Sequence, residues 1–153
     1  MARTRVLFLC IGNSCRSQMA EGFARTYGSD VIEAYSAGLY PASTVAALTR
    51  KVMLEKNIDL ATSYPKGIEH IPEEMDMVVN MSGERFTPRN GTLVEDWPVM
   101  DPIGLSEDVF RQVANEIEQR VMRLVLILRA KQNAGPGPAG PKGDSRGGKP
   151  LRV

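Results

Sequence analysis

Short apolar runs alternate along this chain with stretches of helical periodicity, and that alternation admits few folds. Residues 5–9, 31–35, 77–81 and 93–97 read as short strands. Between them, residues 17–27 place Met19, Ala20, Phe23, Ala24 and Tyr27 on one helical face, and a helix capped by Ser43 or Thr44 carries Val45, Leu48, Val52 and Met53 inward. Residues 68–75 leave room for a short helix limited by Pro72. Residues 106–130 set Val109, Val113, Ile117, Val121, Leu124 and Leu128 at core spacing behind a Ser106 cap. Strands joined through helices pair as parallel neighbours. The expected fold is therefore a single three-layer α/β domain, with a mostly parallel sheet of about four strands and helices on both faces.

The 153 residues are enough for one domain with a substantial core. From residue 133 the composition turns to glycine and proline, which cannot offset its ordering entropy by burying apolar area. The expected organisation is thus a domain over residues 1–132 and a disordered tail over 133–153. A net charge of +1 gives no case for a nucleic-acid partner. Arg3 and Arg5 ahead of a short apolar run imitate a signal peptide, but the run is too short and lacks a cleavage pattern, and no stretch approaches bilayer length, so no membrane association is expected. Two cysteines, five positions apart, suit a reducing cytoplasm better than a disulfide scaffold.

The first strand ends in the sequence's most chemical segment, Val6-Leu-Phe-Leu-Cys10-Ile-Gly-Asn-Ser-Cys15-Arg16-Ser17. A loop between a strand and a helix can curl successive backbone N–H groups around an anion, and the first helical turn adds unpaired donors. Ile11, Gly12, Asn13, Ser14, Cys15 and Arg16 are the residues such a loop would offer to substrate. A thiolate at Cys10 would be stabilised by the same donors and act as nucleophile. The planar fork of Arg16 matches two oxygens of a phosphate or arsenate. Gly12 and Asn13 suit a tight turn, and Ser17 can donate a hydrogen bond to the sulfur. With only Cys10, Cys15 and His70 as soft ligands, the chain falls short of a four-ligand metal site, and His70 has no evident place in the pocket.

This segment resembles the active-site loop of the low-molecular-weight protein tyrosine phosphatase superfamily, which includes a branch of arsenate reductases. Gln18 stands where the phosphatase branch usually carries proline, so the loop is closer to the reductase branch. Tyr35-Ser-Ala-Gly-Leu39 is similar to a second family motif, and Asp101-Pro102 resembles the general-acid motif. The resemblance implies Cys10, Arg16 and Asp101 as catalytic residues, with Asn13, Ser17 and Ser36 supporting the loop. Asp96 competes with Asp101 for the role of acid. Glu21 with Asn13 and Ser36 is similar to a monovalent-cation site of some arsenate reductases, but residues 62–65 lack a matching aspartate. Cys15 is either a redox partner that forms a reversible disulfide with Cys10 or a packed small residue.

Two departures bear on activity. Reductases of the superfamily that couple to thioredoxin relay oxidation to further cysteines after the third strand, and residues 80–88 hold none. The phosphatase branch often places tyrosines just after the acid, where this chain has Ile103-Gly104, leaving Tyr40 or Trp97 as a candidate aromatic wall. The sequence reading is a cysteine-dependent phosphatase acting on a phosphotyrosine protein or other aryl phosphate through a cysteinyl-phosphate, without cofactor. Its alternative is an arsenate reductase supplied by an external thiol or redoxin. A phosphocarrier and a pure oxyanion-binding module are further alternatives. The protein is expected to be a monomer or weak dimer.

Overall fold

A computed structural model of the chain describes residues 2–134. Its sheet has four parallel strands, β1 (Thr4–Cys10), β2 (Ile32–Gly38), β3 (Met77–Asn80) and β4 (Leu93–Asp96), in the order β2-β1-β3-β4. The α-helices are α1 (Arg16–Tyr27), α2 (Ala47–Glu55) and α3 (Glu107–Ala134). Because β1 pairs with β2 on one side and β3 on the other, the chain reverses direction across the sheet at β1. The crevice at such a reversal, beyond the carboxyl ends of the strands, is where α/β sheets bind ligands. Cys10 lies at that point.

Alternation along β1 divides the interior in two. Val6, Phe8 and Cys10 face a large core shared with Met19 and Phe23 of α1, Val52 and Met53 of α2, and the buried stripe of α3, while Leu7 and Leu9 face a smaller one with Ala37, Ile71 and Val78. All three α-helices serve the first core. On the second face helical cover shrinks to the 3₁₀ turn Ile68–His70, joined by Met75 and Phe86 from irregular segments.

The long helix buries Val113, Ile117, Val121, Leu124 and Leu128 as its periodicity predicts, with Phe110, Ala114 and Val125 beside them, whereas Val109 is only half-buried. It continues through Asn133 and Ala134, past the predicted start of the tail; the rest of that tail lies outside the described residues.

The second helix starts later than predicted. Its cap residue is Ala46, and neither Ser43 nor Thr44 caps it. The capping acceptor comes from the Cys10 loop instead: the Ala46 amide donates to Ser14 Oγ at 3.0 Å, and that hydroxyl donates to Thr44 O at 3.0 Å. Val45 is buried ahead of the helix, and Thr49 rather than Leu48 joins Val52 and Met53 inside. Strand β4 stops at Asp96, and Trp97 turns inward against Phe8, ring centroids 6.1 Å apart.

Candidate oxyanion site

The loop between β1 and α1 is held from outside by its carbonyls. Leu39, Tyr40, Ala42 and Ala46 donate their amides to the carbonyls of Cys10, Ile11, Gly12 and Ser14 at 2.8–3.1 Å. With the carbonyls turned to the segment after β2, the amides face the other way, and none from residues 11–15 finds an acceptor among the described residues. A bowl of unpaired donors next to a helix start is an anion-binding concavity. Gly38 is its seat: it pairs in register with Cys10, and the loop backbone passes so close that an added Cβ would stand 2.7 Å from Asn13 N. This contact is the structural content of the Tyr35-Ser-Ala-Gly-Leu39 motif.

Cys10 Sγ and Ser17 Oγ are 2.9 Å apart, and Ser17 Oγ also accepts from Asn13 Nδ2 at 2.7 Å. Asn13 adopts φ 52°, the left-handed conformation its residue type tolerates. Arg16 is 5 % exposed; Nη1 donates to Met81 O and to Val99 O, the latter at 3.0 Å, and Nη2 lies 3.4 Å from Asp101 Oδ2. Asp101 also accepts the Ile103 amide at 3.1 Å. Cys10, Gly12, Arg16, Tyr40, Asp101 and Ile103 all line one cavity of about 280 Å³. Asp96 lies outside it, in a neighbouring hollow with Asn80 and Glu84. Of the two candidate acids, Asp101 is the one at the loop. Of the two candidate aromatic walls, Tyr40 lines the cavity and Trp97 is buried in the core.

Other expectations need correction. Ser36 does not reach the loop; its hydroxyl donates to Glu21 Oε1, and Glu21 Oε2 pairs with Arg25 at 2.6 Å. Glu21 is thus already matched by a guanidinium. Cys10 and Cys15 are both free and buried. Burial pushes the Cys15 thiol up to about 12, with the Thr49 hydroxyl offsetting part of the effect and Cys10 and Asp101 adding to it. His70 is exposed beside Glu69, away from the cavity.

Sequence reasoning missed Gln18. Its side chain is 1 % exposed, and Nε2 lies 3.1 Å from Asn13 Oδ1, 3.2 Å from Asn13 O and 3.1 Å from Tyr64 O. The replacement of proline at this position was the available signal. Among the described residues, no group of three or more His, Cys, Asp or Glu side chains is placed to hold a metal, and no helix is long and apolar enough to cross a membrane.

The fold and the site define an α/β protein with a cysteine at the floor of an amide-lined loop between a strand and a helix. Residues 5–134 match the family of low molecular weight phosphotyrosine protein phosphatases, and the chain belongs to it. It is 38 % identical over 126 residues to a glutaredoxin arsenate reductase of Synechocystis sp., covering 79 % of this chain and 95 % of that protein. It is 37 % identical to an arsenate reductase of Halalkalibacterium halodurans, covering 79 % and 94 %. Among solved structures it is similar to an arsenate reductase in its phosphate-binding state, with TM-score 0.74, 35 % identity and coverage of 82 % and 98 %. It is also similar to an arginine phosphatase from Geobacillus stearothermophilus, with TM-score 0.75, 28 % identity and coverage of 86 % and 97 %.

Proposed function

We propose that the protein is an arsenate reductase that uses Cys10 as its nucleophile and draws its electrons from an external thiol. The observation that carries this reading is the bowl of free amides around Cys10, closed by Arg16, in a chain whose residues 80–88 hold no relay cysteine. The reductase relatives favour arsenate over the phosphotyrosine that the sequence reading put first.

The Cys10 thiolate attacks arsenic, an S–As bond forms, and one oxygen leaves as water with a proton from Asp101. The loop amides and Arg16 hold the remaining oxygens. An external thiolate then attacks Cys10 Sγ. An S–S bond forms, and the electron pair of the S–As bond passes to arsenic, which leaves as arsenite. A second external thiol clears the mixed disulfide and restores Cys10. The net reaction converts arsenate and two thiols into arsenite, a disulfide and water. A reducing compartment, the cytoplasm, suits a nucleophile that must stay free.

A phosphate-monoester hydrolase is the second reading, favoured by the position of Asp101. A carboxyl beside Arg16 at the rim suits protonation of a leaving alkoxide or phenoxide. Side-by-side turnover distinguishes the two: an aryl phosphate against arsenate supplied with glutathione, a bacterial thiol with its redoxin, or thioredoxin. Arsenate reduction with one of these thiols, lost in Cys10→Ser, is the expected result. Aryl phosphate turnover without arsenate reduction under any thiol would replace the first reading with the second.

A further inference from the structure

The hydrogen bonds behind the loop have a direction, and that direction starts at Gln18. Three oxygens surround Gln18 Nε2: Asn13 Oδ1, Asn13 O and Tyr64 O. Three acceptors require a donor, so the Gln18 amide is locked with its NH₂ group toward them. Asn13 Oδ1 in turn receives two donors, Gln18 Nε2 at 3.1 Å and the Lys66 amide at 3.0 Å. The Asn13 side chain can then stand in only one orientation, with Nδ2 toward Ser17 at 2.7 Å. Ser17 Oγ is an acceptor in that bond, so its one proton is left for Cys10 Sγ at 2.9 Å.

We propose that Gln18 is a positioning residue that, through Asn13, turns the Ser17 hydroxyl into an obligatory donor to Cys10 Sγ and so sets the reactivity of the nucleophile. The inference deepens the functional reading and rests on Cys10 being the nucleophile. A hydroxyl beside a sulfur can donate or accept, and only the donating form stabilises the anion. Gln18, together with the Lys66 amide, removes the other choice from a distance, without touching sulfur or substrate. The charged and titratable groups near Cys10 are Arg16, Tyr40 and Asp101, which line the same cavity, and Cys15. None of them is altered by a neutral substitution at position 18.

The test is the pH dependence of Cys10 alkylation by iodoacetamide, read by peptide mass spectrometry so that Cys10 and Cys15 are separated. Gln18→Met keeps the length of the side chain and removes its donors. The alkylation rate at pH 7 is expected to fall by roughly 3- to 10-fold, the effect of losing one hydrogen bond to the reacting sulfur. In a Ser17→Ala background the relay is already cut, and the same substitution is expected to leave the rate unchanged. An equal loss in both backgrounds, or no loss in either, overturns the proposal.

A measurement on the unmodified protein guards against a variant that fails to fold. Nuclear Overhauser contacts from the Asn13 Nδ2 protons are expected to reach Ser17 Hβ. Contacts to the Lys66 amide proton instead would show the Asn13 amide reversed and overturn the relay. Neither readout uses turnover. Retention of turnover in Cys10→Ser would sink the functional reading by itself, separately from the relay.

Discussion

Gly38→Ala is the most informative single perturbation of the oxyanion bowl, because it touches no substrate and alters only the seat of the loop. An added Cβ would stand 2.7 Å from Asn13 N and from Gly12 C, and 2.8 Å from Ile11 O, where ordinary contact begins at 3.4 Å, so the backbone must yield by 0.7 Å (3.4 − 2.7). The loop has little room to retreat on its far side, since its carbonyls are held by the amides of Leu39, Tyr40 and Ala42. A shift of that size carries an amide donor from about 2.9 Å to about 3.6 Å from its oxyanion, past useful hydrogen-bonding range. Turnover is expected to fall by roughly 10²-fold, the cost of losing one such donor or of a misplacement near 1 Å. The fold is expected to lose about 1–3 kcal/mol, the usual cost of overpacking. Turnover, calorimetric titration with phosphate, and a thermal melt separate the two effects. Gly12→Ala is the control: it lies inside the loop, yet its Cβ would meet nothing closer than 3.6 Å, and it is expected to be the milder change. A Gly38→Ala protein that folds and retains full phosphate affinity and turnover would refute the reasoning.

Asp101→Asn is expected to slow the step that releases a poor leaving group by roughly 10²- to 10⁴-fold, whereas Asp96→Asn leaves it nearly unchanged; the reverse pattern in a steady-state assay would move the acid to Asp96. Leu124→Ala removes a fully buried side chain from the centre of α3 and is expected to cost about 2–5 kcal/mol in urea denaturation; a loss under about 1 kcal/mol would show that the helix repacks. The hydrogen bond from Arg129 holds the Asp30 carboxyl below its ordinary 3.8, so its contribution to stability is present above that value and is lost as pH falls through the lower, folded value. The melting-temperature gap between the unmodified protein and Arg129→Gln is therefore expected to narrow as pH drops below about 4, and a gap constant to the lowest pH reached would remove the pair from the stability balance.

The central strand and the Cys10 loop were legible because their signals are local. An apolar run, a cysteine, a turn pair and a helical pattern follow one another without a break, and the α3 stripe announces itself by spacing alone. The start of α2 was not legible, because its capping acceptor is Ser14, more than thirty residues upstream, and no local pattern encodes a partner at that distance. The 68–75 segment carries both apolar residues and Pro72, and proline won: only one 3₁₀ turn forms before Ile71 returns to extended backbone. Asp101 carries the Asp-Pro motif that Asp96 lacks, but only the fold brings it within reach of Arg16 and leaves Asp96 in a different hollow. Ser36 was misread for the opposite reason, since a motif located it correctly beside the loop while its hydroxyl found Glu21. Gln18 was noted as a branch difference, but its three acceptors come together only when the 64–66 segment folds back over the loop.

The grip of Arg16 on the carbonyls of Met81 and Val99 sets where the protein can change. A guanidinium that binds the ends of two chain segments makes their relative position part of its own geometry, so Val99 acts as the fixed root of the segment that carries Asp101. Beyond that root Pro102 is buried, but Met100, Ile103 and Leu105 are each about half exposed. None of those three side chains is among the arginine's partners. Substrate preference and partner choice thus have a place to diverge, one to six residues past an anchor that holds the chemistry still.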